Sequence, residues 1–249
     1  MILGAGVIGC EFATIFSNYR KTKVYLIDKE ERILPFEDED ISHAVASNLE
    51  RNGVVIHHGA SLEKMSIVDG KVEYILNYKD GRHEILTVEK ALISVGRVAN
   101  TDNLGLDAAG VALNDRGFVD DEDTQTNVSH IYAVGDLTAD ISLVNVGELE
   151  GRYAIEKMFG DPQHELVYDN ISTIMFLNPE VASVGLNEIQ ARRKKIPYRV
   201  AVMNYRYVNR AIAMSKTEGF FKLLVTDDEQ MHILGLRVMG DHASSTIEA

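Results

Sequence analysis

Two kinds of apolar spacing alternate along the first half of the chain, and the alternation predicts its elements. Val24–Ile27, Val54–Ile56 and Ala91–Val95 are short, nearly unbroken apolar runs bounded by charge or glycine. Such runs suit parallel strands covered on both faces. Ahead of them, Ile8, Phe12, Ile15, Phe16 and Tyr19 recur at helical spacing, which predicts a crossover helix that lays this stripe on the sheet. A second helix is predicted over Ile41, Val45 and Leu49. The acidic run Glu37-Asp38-Glu39-Asp40 opens it, where negative charge offsets the helix dipole, and Asn52-Gly53 closes it. The result is a βαβαβ unit. Leu62–Val68, Val72–Tyr78 and His83–Val88 follow, separated by Asp69-Gly70 and Lys79-Asp80-Gly81, and read as a three-stranded antiparallel insert. The run Ala91–Val95 then returns to the parallel sheet and stops at Gly96-Arg97.

Beyond it, residues 98–130 are loop-rich, with short extended pieces such as Phe118-Val119. A second buried strand is predicted at Ile131–Val134, ending at Gly135-Asp136, and a helix from Gly147 to Phe159. At Asp161-Pro162 the pattern changes to alternating strands, Tyr198–Tyr205, Phe220–Val225 and Ile233–Val238, which predict a separate α+β domain.

Composition narrows this picture. The chain has 249 residues, 45% hydrophobic and 25% charged, enough for a real core in one large or two ordinary domains. A formal charge of −13 argues against nucleic acid, whose phosphates call for a basic surface. The one basic cluster, Arg192-Arg193-Lys194-Lys195, follows a helix-like Leu186–Ala191 stretch and reads as a solvated helix C-terminus. Cys10 is the single cysteine, so there is no internal disulfide and no cysteine-rich zinc site within these residues, and a reducing cytoplasm fits. It reads as a small packing residue. His57-His58 and His242 have no partners at metal-ligand spacing, so no metal is expected. No run approaches membrane-spanning length and no secretory signal opens the chain, which predicts a soluble protein. The three residues before the first glycine make a short strand, and 243–249 reads as a helix stopped early, so trimming at both ends is expected.

The chemistry begins at Gly4-Ala5-Gly6-Val7-Ile8-Gly9, between the first strand and the first helix. Gly4 permits the tight turn, Gly6 lets backbone approach a diphosphate, and Gly9 allows close helix packing. The anion would sit at the helix start, among the N–H groups of Val7 and Ile8, drawn by unpaired donors and the positive end of the dipole. Asp28 ends the second strand nineteen residues after Gly9 and is placed to accept from an adenosine ribose. It repels a 2′-phosphate, which favours NAD, whereas Lys29 beside it tolerates phosphate and leaves NADP open.

Four motifs in order resemble the pyridine nucleotide-disulfide oxidoreductase family of flavoproteins: Gly4–Glu11 with Asp28; Val95–Asn100; Thr126 with Ile131–Asp136; and Asn178–Gly185. The resemblance runs over nearly the whole chain. It implies an α/β architecture: a Rossmann-type NAD(P) domain with its antiparallel insert over residues 1–98, the C-terminal part of an FAD domain over 99–165, and a truncated α+β interface domain over 166–249. Homodimers are the rule in the family. Its N-terminal FAD half, with a second glycine loop and often a redox cysteine pair, has no counterpart here, nor has its C-terminal His-Glu pair.

By this resemblance Asp136 binds the flavin ribityl chain, with Gly135 shaping the turn; read alone, Asp136 is a turn-forming residue after Gly135. Leu143 and Val144 match a helix start beneath the isoalloxazine, where N–H groups face negative charge on reduced flavin. Glu11 matches a catalytic glutamate that pairs with a lysine in the absent half, although in isolation it is an ordinary first-turn acid. Gly96 matches a close backbone pass on the nicotinamide side. Arg97 is as readily a structural ion-pair partner as a ligand contact. Ala99 stands where the family often has proline. The function implied is hydride transfer between NAD(P)H and FAD, then onward to a second nucleotide or to a disulfide such as lipoamide. The alternative is an inactive nucleotide-binding and dimerising module that does not retain FAD tightly.

Overall fold

A pair of residues, β1 (Ile2–Leu3), forms the centre of the first sheet. The glycine loop leads into α1 (Val7–Asn18), then β2 (Tyr25–Ile27), α2 (Glu39–Arg51) and β3 (Val55–His57). The antiparallel insert is β4 (Ala60–Val68), β5 (Lys71–Tyr78) and β6 (His83–Val88), and β7 (Leu92–Ile93) rejoins the parallel sheet. Its order is β3-β2-β1-β7, all neighbours parallel. In this computed structural model residues 1–19, 21–160, 162 and 164–247 are described. The expected strand Ala91–Val95 shortens to Leu92–Ile93 because β1, its partner among the described residues, offers two residues.

The crossover helix forms, but it packs on a different face from the one its apolar spacing predicts. Gly9, Cys10, Ala13, Thr14 and Ser17 are buried, whereas Ile8, Phe12, Ile15, Phe16 and Tyr19 remain 36% to 71% exposed. Contact distance explains the reversal. A Cβ on Gly9 would lie 1.8 Å from the Gly4 carbonyl oxygen, so the helix approaches its loop too closely for large side chains on that side. Small residues therefore make the contact.

Residues 96–171 form a unit of their own. It holds α3 (Leu106–Ala109), the hairpin β8 (Asp121–Glu122) and β9 (Gln125–Thr126), a 3-10 turn at Gly135–Leu137, and α4 (Val144–Phe159). Val111, Val119 and Ala133 are its buried centre, with Leu106, Val128, Ile131 and Leu137 against them. The strand expected at Ile131–Val134 reduces to a single antiparallel bridge, Tyr132 opposite Gln125 of β9: Thr126 N–H donates to the Ile131 carbonyl, and Ala133 N–H donates to that of Thr124. The helix α4 begins at Val144, earlier than the predicted Gly147.

The remaining elements are β10 (Thr173–Met175), β11 (Glu180–Gly185), α5 (Glu188–Arg193), β12 (Tyr198–Asn204), α6 (Asn209–Ala213), β13 (Phe220–Thr226), β14 (Ile233–Gly240) and α7 (Ala243–Ile247). They build an antiparallel sheet of order β10-β11-β14-β13-β12. The composition shift assigned to Asp161 and the last two positions of the 243–249 helix lie outside the described residues. Residues 172–249 and 1–95 make one compact unit. Their common core sets Met175, Leu177, Val181 and Met239 among Ile2, Ala5, Cys10, Leu26 and Leu34.

Charge fastens the same junction. Glu37 and Asp38 are only 4% and 2% exposed, so half of the acidic run does more than start a helix. Arg237 Nε lies 3.1 Å from Glu37 Oε2 and its Nη1 donates to the Val184 carbonyl at 3.0 Å. Burial raises the Glu37 carboxyl above its ordinary range, with Arg237 opposing the shift. Lys222 Nζ sits 2.6 Å from Glu188, 2.8 Å from Asp40 and 3.0 Å from Asp38. Burial alone would lower its pKa; hydrogen bonds to Asp40, Glu188 and Asp38 outweigh this and raise it.

Candidate functional site

The glycine loop has three glycines with three separate reasons. Gly4 takes φ +99°, and a Cβ there would lie 2.5 Å from the Ser94 carbonyl oxygen. Gly9 is forbidden a side chain by the Gly4 carbonyl, as above. Gly6 has neither constraint: it is the N-cap of α1 at φ −75°, and nothing lies within 4 Å of where its Cβ would be. That open space borders the start of α1, where no side chain caps the helix. First-turn N–H groups lack intrahelical acceptors, so Val7, Ile8 and Gly9 stand where an anion is received. A dinucleotide diphosphate fits these residues, because the space a Cβ would fill is the space it needs.

Ser94 completes the loop, and sequence reasoning missed it. Its Oγ lies 2.9 Å from the Leu3 carbonyl oxygen and 3.0 Å from that of Gly4. The signal available was one hydroxyl interrupting the apolar run Ala91–Val95.

Asp28 follows β2 and reaches back to the loop. Its Oδ2 accepts from Ala5 N–H at 2.6 Å and its Oδ1 from Glu30 N–H at 2.9 Å. Each oxygen keeps a further lone pair for a sugar hydroxyl. Lys29 beside it is exposed. Cys10, fully buried behind the loop, has its thiol pushed up to about 12 by burial, then by the charges of Asp28 and Glu11. Glu11 is partly buried on α1, past the first turn expected from sequence, and its Oε1 accepts from Phe176 N–H at 2.9 Å.

The other candidates lie in the 96–171 unit. Gly96 takes φ +147° with open space at its Cβ position. Arg97 Nη2 is hydrogen-bonded to Asp136 Oδ2. Gly135 is left-handed at φ +71°. Leu143 is the extended N-cap of α4, no side chain caps it, and Val144 is 92% exposed. Glu150, also missed from sequence, is 1% exposed on α4 and bonded to Gly135. Among the described residues no group of three or more His, Cys, Asp or Glu side chains is arranged to hold a metal ion, and no helix is long and apolar enough to cross a membrane.

Comparison with known proteins agrees with this geometry. Residues 1–151 match the family model described as pyridine nucleotide-disulphide oxidoreductase, and residues 171–249 match the model of that family's dimerisation domain. The chain is 40% identical over 248 residues to a soluble pyridine nucleotide transhydrogenase of Chromohalobacter salexigens, covering 99% of this chain and 52% of the relative. It is 35% identical over 247 residues to a dihydrolipoyl dehydrogenase of Chlamydia muridarum, covering 99% and 51%. The chain thus spans about half the length of these curated relatives. Among solved structures, the HOCl-induced flavoprotein disulfide reductase RclA of Escherichia coli superposes with a TM-score of 0.89 at 29% identity, over 99% of this chain and 56% of that one.

Proposed function

Because the chain belongs to the pyridine nucleotide-disulphide oxidoreductase family, whose members depend on FAD and NAD(P), we propose that it binds NAD and serves hydride transfer between nicotinamide and flavin in a homodimeric enzyme. The observation that carries this reading is the open space at Gly6 beside the uncapped start of α1, with Asp28 tied to the same loop. Gly4, Gly6 and Gly9 shape the loop, Val7 and Ile8 offer N–H donors to the diphosphate, and Asp28 accepts from the adenosine ribose in preference to a 2′-phosphate. Lys29 is the residue through which NADP would be tolerated.

Glu11 is the proposed catalytic residue. Phe176 N–H engages one of its oxygens and leaves the other for a lysine partner or the nicotinamide amide. Asp136, Gly135, Arg97, Gly96 and the start of α4 at Leu143 and Val144 are the proposed flavin-side residues. The start of α4, which no side chain caps, supports that assignment, since its first-turn N–H groups can face a ligand, and the left-handed Gly135 turns the chain into Asp136. Bound FAD would supply the redox chemistry, taking a hydride and releasing electrons to a second nucleotide or a disulfide.

Calorimetric titration with NADH tests the first part. Binding is expected for the native chain and a loss of at least about tenfold for Gly6→Val, whose side chain fills the diphosphate space. Equal affinity of the two would sink the proposal. A second reading, a nucleotide-binding and dimerising module without tight flavin, is favoured by the complete loop and by the match to the dimerisation model. Stoichiometric flavin absorbance in the purified protein would exclude it.

A further inference from the structure

Glu150 is a buried acid that the reading above does not use. Its carboxylate is sealed from solvent on α4, yet both oxygens are occupied: Oε2 accepts from Gly135 N–H at 2.6 Å and Oε1 from Tyr168 O–H at 3.0 Å. Burying a carboxylate is costly, and the cost is recovered only where good donors meet it. One of the two donors is the amide of a left-handed glycine that immediately precedes Asp136. A second contact reinforces the first. Gly147 lies one turn earlier on α4, and a Cβ there would come within 3.3 Å of Gly135 Cα. The Gly135 carbonyl is held as well, by Thr138 N–H and Oγ1, both at 3.0 Å.

The geometry points to Glu150 as a positioning residue for flavin. It locks the Gly135-Asp136 turn onto the helix whose first turn is Val144, so the carboxylate proposed for the ribityl chain and the amides proposed for the isoalloxazine form one rigid frame. This rests on the flavin assignment made above. Arg97 holds Asp136 from outside, and Glu150 fixes its backbone from inside. Without Glu150 the Gly135 N–H loses a charge-assisted acceptor and the turn is freed from the helix. Glu150→Gln keeps an oxygen for Gly135 N–H; Glu150→Ala keeps none.

The test is FAD titration of the full protein, native and variant, followed by quenching of flavin fluorescence and by the amide resonance of Gly135. Loss of the group that orients a metal ligand typically lowers metal affinity by about 10- to 100-fold, and the same order is expected of a residue that orients a flavin-binding turn. We expect a loss in that range for Glu150→Ala, near-native affinity for Glu150→Gln, and an intermediate loss for Tyr168→Phe. The Gly135 amide should lie downfield in the native protein and in Glu150→Gln, and move upfield in Glu150→Ala. If native protein binds FAD and folded Glu150→Ala binds it equally well, the positioning role is overturned while the flavin assignment stands. If Glu150→Ala does not fold, a Glu150→Gln variant that binds no better than Tyr168→Phe overturns it instead. If native protein binds NADH but no FAD, both the flavin assignment and this role fail.

Discussion

A thiol at the start of a helix is ordinarily acidified by the dipole, yet Cys10 goes the other way. Complete burial and the nearby charges of Asp28 and Glu11 keep it protonated far above its ordinary value of 9.0. Two results follow. Native protein at pH 8 should resist thiol labelling that proceeds fully after denaturation. Stability should also fall as pH rises from 9 towards 12, because the unfolded chain releases the thiol proton in that window and the folded chain retains it. The slope is at most about 1.4 kcal/mol per pH unit. Urea denaturation at pH 8 and 10 measures it, and Cys10→Ala should flatten it. At this scale the glycines and Asp28 were legible, because their spacing follows from the geometry of the loop. The bond from Ala5 N–H to Asp28 and the Ser94 brace were not, since a side chain's choice among nearby backbone groups leaves no period in the sequence.

For the elements, helix formation and face selection are separate questions. The spacing of Ile8, Phe12, Ile15, Phe16 and Tyr19 announced α1, but close approach required the small residues opposite them to face inward. Ala13→Leu should therefore destabilise the fold by about 1–3 kcal/mol through overpacking, whereas Ile15→Gln on the outward stripe should change it by no more than about 0.5 kcal/mol. Chemical denaturation of both variants decides between the faces. Periodicity cannot rank two stripes when one consists of glycine, cysteine, alanine, threonine and serine, because such small residues carry a weak apolar signal while packing most tightly. Ile131–Val134 shortened for another reason: its apolar run was real, but a strand extends only as far as its partner, and here that partner, β9, is two residues long and pairs through Gln125 alone.

Across the whole molecule, the decisive contacts join residues distant in sequence. Lys222 and Arg237 meet Asp38 and Glu37 in a buried seam with the exposed Asp40 at its rim, and sequence placed those acids only at a helix start. Nothing local in an acidic run reveals a lysine some 180 residues away. Lys222→Ala should cost about 3–5 kcal/mol, because it strands Asp38 in the interior. Cutting the exposed Arg51–Glu218 pair should cost less than about 1 kcal/mol. Thermal melts compare the two. A chain ending at residue 171 should also unfold at much lower denaturant, having lost Met175, Leu177, Val181 and Met239 from the core around Ile2 and Ala5. This discontinuous core carries a consequence for biosynthesis. At about 5–20 residues per second, the nascent amino-terminal strands leave the ribosome many seconds before the segment that covers them has been translated. During that interval they expose apolar surface to the cell, so the soluble yield on overexpression should rise when chaperones that bind nascent chains are supplied in excess.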